Sequence, residues 1–346
     1  MALNRYFHGT IQGIYSTYDS IKTIIKMKKL VSEFEALEEK QKQLNLEENK
    51  YGSPFNKAIY QPLIEKINSA NELITLATMN ARAAYVLLDA ASKEAYFLED
   101  FSKHQELILK LIHQSKDAVI LKVLLSKIQI DHHLFANYKT LFELATHAKD
   151  ATGLLLDLLI YQASYIIVSV FNRASDFSNL AGIDKENSNL SRALTNLIGK
   201  EHHQIIKLFN TENKLDNTNA FIELVKKNDG IALELAKQEK KHLSELFQYC
   251  RDTKKLVNLM LIKSETSKYF LRNHVVSILK LLNERQQMHA KQYFKTITEQ
   301  DLKLDGTTQV YGTFYFHQFE VLNRTYSRDK EFFKYMDPFF KELKTI

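Results

Sequence analysis

Glycine and proline are scarce: nine and three in 346 residues, where average usage of about 7% and 5% would give roughly 24 and 17. The prolines are Pro54, Pro62 and Pro338, so the long stretch between the last two has none. Turn-rich sheet architectures and glycine-rich phosphate cradles are disfavoured, and a long proline-free stretch suits helices. The expected fold class is all-α. There is a single cysteine, Cys250, which cannot form an internal disulfide and makes a reducing compartment the default expectation. Long hydrophobic runs are also missing. The longest uncharged apolar stretch, Leu158 to Phe171, follows Asp157 and falls short of the roughly 20 residues that span a bilayer. It reads as a buried helix. Met1 to Ile21 alternates polar and apolar residues and has no apolar core of the length a secretory signal requires. The expected location is cytoplasmic, with no classical signal peptide.

What is present is an ordinary globular composition, 45% hydrophobic and 25% charged, neither disordered nor membranous by that measure. The net charge of +6 comes from interspersed charges and only mildly favours an acidic partner. Tyr18 to Lys50 carries Ile21, Ile24, Ile25, Leu30, Phe34 and Leu37 near helical spacing, with Lys22, Lys26, Lys28 and Lys29 ahead of Glu33, Glu35, Glu38 and Glu39. That charge order opposes the helix dipole, so packing or a partner must stabilise the helix. Tyr51-Gly52-Ser53-Pro54 ends it.

An internal period follows. Lys116-Asp117-Ala118 recurs as Lys149-Asp150-Ala151, 33 residues on, inside longer similar stretches at Leu109 to Leu125 and Phe142 to Leu159. Thirty-three is the ankyrin period. Thr140-Leu141-Phe142-Glu143-Leu144-Ala145 resembles the first helix of an ankyrin repeat, and Leu155-Leu156-Asp157-Leu158-Leu159 the second. Similar pairs are Glu72 to Ala77 with Tyr85 to Leu88, and Leu107 to Ile112 with Val123 to Leu125, the latter followed by Ile128-Gln129-Ile130-Asp131 where the family has a loop. Arg192 to Leu197 with His202 and Ile205 to Phe209 resembles another, and Asp229 to Ala236, ending at Leu246-Phe247, resembles the opening of the last. An insertion at Tyr161 to Glu186 explains the irregular spacing. No repeat has an intact T-P-L-H, and the family's turn glycines are replaced, so the chain resembles a degenerate array. Other solenoids of stacked helix pairs share its physical logic, since each pair has an apolar face that only a neighbour can bury.

The resulting organisation is an N-terminal helical cap over 1–53, ankyrin-like repeats over 54–250, and a C-terminal helical region over 251–346 with two helices in Lys254 to Phe294. The tail from Val310 is rich in aromatics, among them Tyr311, Phe314, Phe339 and Phe340, which are expected to pack on the preceding helices.

Candidate chemistry is sparse. Glu239-x-x-His242 has the spacing used in di-metal bundles, but such a site needs a second motif and two more glutamates. No H-E-x-x-H, zinc-finger spacing, G-x-G-x-x-G or Walker motif occurs. No metal and no cofactor are expected. His132-His133 falls in a loop before a repeat, and His202, beside His203, holds a family position that usually bonds neighbouring backbone. Lys226-Lys227, Lys240-Lys241 and Lys254-Lys255 form a basic series interrupted by Glu223, Asp229, Glu234 and Glu239, which reads as a solvated surface rather than a nucleic-acid stripe.

The resemblance implies binding, not catalysis. Loop tips and first-helix residues would meet a protein partner, which here points to His132, His133, Phe135, Asn137, Tyr138, His147, Asn213, Asp216 and Asn217. The Lys-, Asn- and Ile-rich composition matches AT-rich genomes. With the resemblance, it suggests an effector that an intracellular bacterium delivers to bind a host protein, beside a housekeeping scaffold of the same composition. Two other classes stay open. One is an enzyme in which Cys250, His274, His289 and His317 converge. The other is a surface binder that uses its lysines on nucleic acid or, peripherally, on a membrane.

Overall fold

The structure is a computed structural model describing residues 2–48, 57–184, 188–209, 214–238, 253–262 and 264–273, with 285, 288–289, 292, 338–339 and 341–342 besides. Side chains of the first helix are described from Asp19 to Gln43. Every regular element among the described residues is helical and no strand occurs. The chain divides into two compact units, Met1–Gln162 and Ala163–Ile346, a boundary inside the segment 54–250 that the sequence suggests is one array.

The first unit begins with α1 (Ala2–Glu48). A 3-10 turn (Lys57–Tyr60) and α2 (Gln61–Ile64) follow, with Pro62 in the opening turn where its missing N–H costs nothing. Then come α3 (Ala70–Met79), α4 (Ala81–Ala90), α5 (Tyr96–Lys103), α6 (Glu106–Ser115), α7 (Ala118–Leu125) and α8 (Tyr138–His147). Helix α9 (Lys149–Val168) is interrupted by non-helical backbone at Ala163. Helix α3 packs on α6 and α6 on α8, while α4 packs on α7. Within pairs, α3 meets α4 and α6 meets α7. The helices therefore form two rows.

Short polar residues reverse the chain between rows. Asn80, in extended conformation, ends α3 and caps α4 by accepting from the Ala83 N–H, which satisfies one of the orphan donors of a helix start. Asp117 accepts from the Val119 and Ile120 N–H groups to open α7. Ahead of it Lys116 sits at φ 58°, a left-handed position that glycine fills without steric cost. Ser69 and Asn137 cap α3 and α8 in the same way. Leu73, Leu76, Leu87, Leu88, Ile108, Leu111, Ile120, Leu121, Leu124 and Leu141 fill the space between the rows, and the small residues Ala77, Ala83, Ala84 and Ala145 are buried with them.

Helix α1 lies against α3 and α2, but not on the face its isoleucines suggest. Met27, Leu30 and Phe34 are buried, whereas Ile21, Ile24 and Ile25 are 51, 39 and 64% exposed. Lys26 bonds both carboxylate oxygens of Glu72 on α3 at 2.6 and 2.7 Å. That pair and Phe34 against Tyr60 fix the helix's rotation. The turn at 51–54 lies outside the described residues.

The second unit holds α10 (Ala174–Ala181), α11 (Asn189–Phe209), α12 (Lys214–Lys227), α13 (Asp229–Gln238), α14 (Thr253–Leu261) and α15 (Glu265–Asn273). Again two rows form: α10, α12 and α14 in one, α11, α13 and α15 in the other. Phe171, Phe177, Phe209, Phe221 and Phe270 contact one another in series, with ring centroids 5.5 to 6.5 Å apart. Helix α13, which the resemblance suggests opens a pair, is joined to the preceding α12 by one residue, Asn228. Helix α11 is broken at Glu201, whose carboxylate accepts from Ser164 beside the break at Ala163 at 2.6 Å.

Helix α9 is the one described helix long and apolar enough to cross a membrane, yet more than half of its apolar window is buried. The apolar run read as a buried helix is only partly so, because Tyr161 and Tyr165 are exposed.

Candidate partner-binding face of the first unit

The loop from Ser126 to Asn137 carries four of the nine sequence-derived binding residues, and hydrogen bonds tie it to the neighbouring helices. Gln105, at the start of α6, bonds it at two points. Its Nε2 donates to the Gln129 carbonyl at 3.2 Å, and its Oε1 accepts from the Asp131 N–H at 2.6 Å. Lys127 donates to the carbonyls of Asp89 and Ala91 at the end of α4, where helix carbonyls lack intrahelical partners and a cation is favoured. Ile130 and Phe135 are buried beneath the loop. Phe135, expected to face a partner, is 4% exposed and serves as a core anchor. Burial of an aromatic ring in a polar loop is what the apolar transfer energy favours.

The remaining loop residues divide by role. Asp131 accepts from the His133 N–H at 2.9 Å and thereby forms a local turn. His133 is exposed, its ring 5.6 Å from that of half-buried His132. His132 keeps Nδ1 buried with no hydrogen-bond partner among the described residues. Asn137 is engaged as the cap of α8 through the Thr140 N–H at 3.0 Å. Tyr138 is half-buried against Phe142, with centroids 5.5 Å apart.

Along the row α3, α6 and α8, side chains meet from helix to helix on the exposed side. Lys110 on α6 donates to Asn71 on α3 at 2.6 Å. His147 in the last turn of α8 meets His113 in the last turn of α6 edge-on, ring centroids 5.0 Å apart, and both are exposed. No sequence pattern marks His113. It lies in a segment where only the packing of α6 on α8 reveals its neighbour. This edge offers imidazole and amide donors and acceptors and the Lys110 ammonium, a chemistry suited to polar recognition. No group of three or more metal-ligating side chains occurs among the described residues.

The other sequence-derived residues are placed differently. Asn213 lies outside the described residues, while Asp216 and Asn217 fall inside helix α12 rather than on a loop tip. His202 does not make the expected backbone bond through Nδ1, which is buried and has no partner among the described residues, and its ring lies 3.9 Å from that of His203. Lys226 pairs with Glu223 at 3.0 Å and Lys227 reaches Asn179, so this part of the basic series is locally engaged. Glu239, Lys240, Lys241, His242, Cys250, His274 and His317 lie outside the described residues. His289 is described, 3.1 Å from the Glu342 carboxylate and stacked on fully buried Phe339.

No family model, no curated protein and no solved structure matches this chain.

Proposed function

We propose that the chain is a protein-binding adaptor of ankyrin-like type, and that the exposed edge of α3, α6 and α8 with the 126–137 loop receives the partner. The observation that carries this reading is the loop held by Gln105 and Lys127 while His133 stays exposed. A loop ordered in advance loses little conformational entropy on binding. The side-by-side rows of helices in the first unit and the left-handed Lys116 at a helix-to-helix turn agree with the ankyrin resemblance. The composition supports placing the partner in a host cell.

The test is capture of partners from host-cell lysate by the full chain and by a His113→Ala, His133→Ala, His147→Ala variant. Every captured protein is then purified and titrated calorimetrically against both. These side chains are exposed, so circular dichroism is expected to match. The reading requires a partner whose affinity falls at least about tenfold in the variant. Equal affinity for both chains would place the interface elsewhere.

A further inference from the structure

The outward face of α1 remains unexplained by packing. At 100° per residue, Ile21 and Ile25 lie on the side opposite Met27, Leu30 and Phe34, the three residues that face the core. Ile24 flanks them, and all three isoleucines are exposed. Lys22, Lys28 and Lys29 share that side, are exposed, and make no ion pair among the described residues. Lys26, which points inward to Glu72, is the exception.

Charge along the helix is divided rather than mixed. From Met1 to Ser32 the only acidic residue is Asp19. Of the acids that follow, Glu33 pairs with Lys66, Glu35 accepts from Asn80 and Glu38 pairs with Arg82, all toward the first unit, while exposed Glu39 lies 3.7 Å from Lys42. They are therefore not available to neutralise Lys22, Lys28 and Lys29. In sequence, the three–four spacing of apolar residues continues upstream at Phe7, Ile11, Ile14 and Tyr18, along a backbone that is helical from Ala2.

We propose that this face of α1 docks the protein on an anionic phospholipid bilayer. The isoleucines enter the headgroup boundary, and Lys22, Lys28 and Lys29 lie among the phosphates with their stems along the same face. A second copy of the chain is the poorer occupant, because a parallel helix pair would set Lys28 against Lys28 and Lys29 near Lys29. A protein interface also enlists about 20–30 residues a side, whereas a bilayer needs only a few apolar anchors joined to cations. This docking is independent of the α3, α6 and α8 edge.

The experiment is vesicle flotation of the full chain with phosphatidylcholine alone and with phosphatidylcholine containing phosphatidylserine, at low and high salt. Light scattering measures the mass of the vesicle-free protein. Two variants accompany the parent: Ile21→Glu, Ile25→Glu and Lys22→Glu, Lys28→Glu, Lys29→Glu. All five positions are exposed, so both variants should melt with the parent. The expected result is flotation with the anionic vesicles only, weakened by salt. Each lysine lost is expected to lower partitioning roughly fivefold, so the triple variant should fall by about a hundredfold or more. The isoleucine variant should lose flotation at either salt. Equal binding to both lipids, no flotation with the anionic vesicles, or unchanged flotation of the isoleucine variant would each overturn the proposal. So would a parent dimer that the isoleucine variant dissociates while neither chain floats.

Discussion

Removing the Asn228 side chain should be among the most damaging single changes in the second unit. Asn228 is 2% exposed and forms the one-residue turn between α12 and α13. Its Oδ1 accepts from the Ile231 N–H at 3.2 Å, capping α13. Its Nδ2 lies 3.0 Å from the Ala181 carbonyl, 3.1 Å from the Asp184 carbonyl and 3.1 Å from the Ser191 hydroxyl. The amide thus ties the α12–α13 turn to the end of α10 and the start of α11. Loss of a cap costs about 1 kcal/mol, and each buried polar group left without a partner costs about 1–3 kcal/mol. Asp184 is only half-buried, and the Ser191 hydroxyl can rotate. The orphaned Ala181 carbonyl then dominates, and Asn228→Ala should cost about 2–4 kcal/mol. Asn228→Asp keeps the acceptor for the cap but turns carboxylate oxygen toward two carbonyls, and should cost at least as much. Asn228→Ser keeps a capping hydroxyl and should cost less than either.

Hydrogen exchange is the suitable assay, because two units need not unfold in one step. Protection of the Ile231 amide and of the α11 and α13 amides should drop roughly 30- to 1000-fold in Asn228→Ala. Amides of α3, α4, α6 and α7 should be unchanged. A cost under about 0.5 kcal/mol, or an Asp variant as stable as the parent, would refute the reasoning.

Three further outcomes follow from local geometry. Lys116→Gly should stabilise by about 0.5–1 kcal/mol in urea unfolding, because relief of the left-handed strain at φ 58° exceeds the added freedom of the unfolded chain. Gln105→Ala should leave helical content intact and cost about 1 kcal/mol, read as faster exchange of the Asp131 amide and earlier protease cleavage between Ser126 and Asn137. Burial first, then the Glu38 carboxylate, push the Tyr60 phenol above its usual 10.0. The folded protein then holds that proton more tightly, so the stabilisation is present below pH 10 and is lost as pH rises through the folded value. Tyr60→Phe should remove a late-titrating part of the phenolate absorbance and flatten the alkaline loss of stability.

The local signals that make helices were readable in the chain, because they depend on near neighbours alone. Scarce glycine and proline imply helices, and the structure adds Ser69, Asn80, Asp117 and Asn137 as caps, residue types suited to a helix start, although the sequence resemblance assigns Asn137 to a partner. The recurring Lys-Asp-Ala falls at the start of both α7 and α9 but in different register, since Asp117 caps α7 whereas Lys149 and Asp150 are already inside α9. Which face of a helix is buried depends instead on what docks there. Ile21, Ile24 and Ile25 are as apolar as Met27, Leu30 and Phe34, and only the arrival of α3 with Glu72 and of Tyr60 chooses between them. Phe135 is buried because Gln105 draws its loop down, a contact across sequence that no periodicity records. The break at Ala163 has no glycine or proline beside it, the one at Glu201 follows Gly199 by two residues, and the Ser164 to Glu201 hydrogen bond joins the two. His113 meets His147 only because α6 lies on α8. Local propensity and capping therefore determined that this protein is built of helices and where several of them begin. Tertiary packing decided which sides they bury, where two of them break and which side chains they leave exposed, because burial energy depends on surfaces that meet only when distant segments come together.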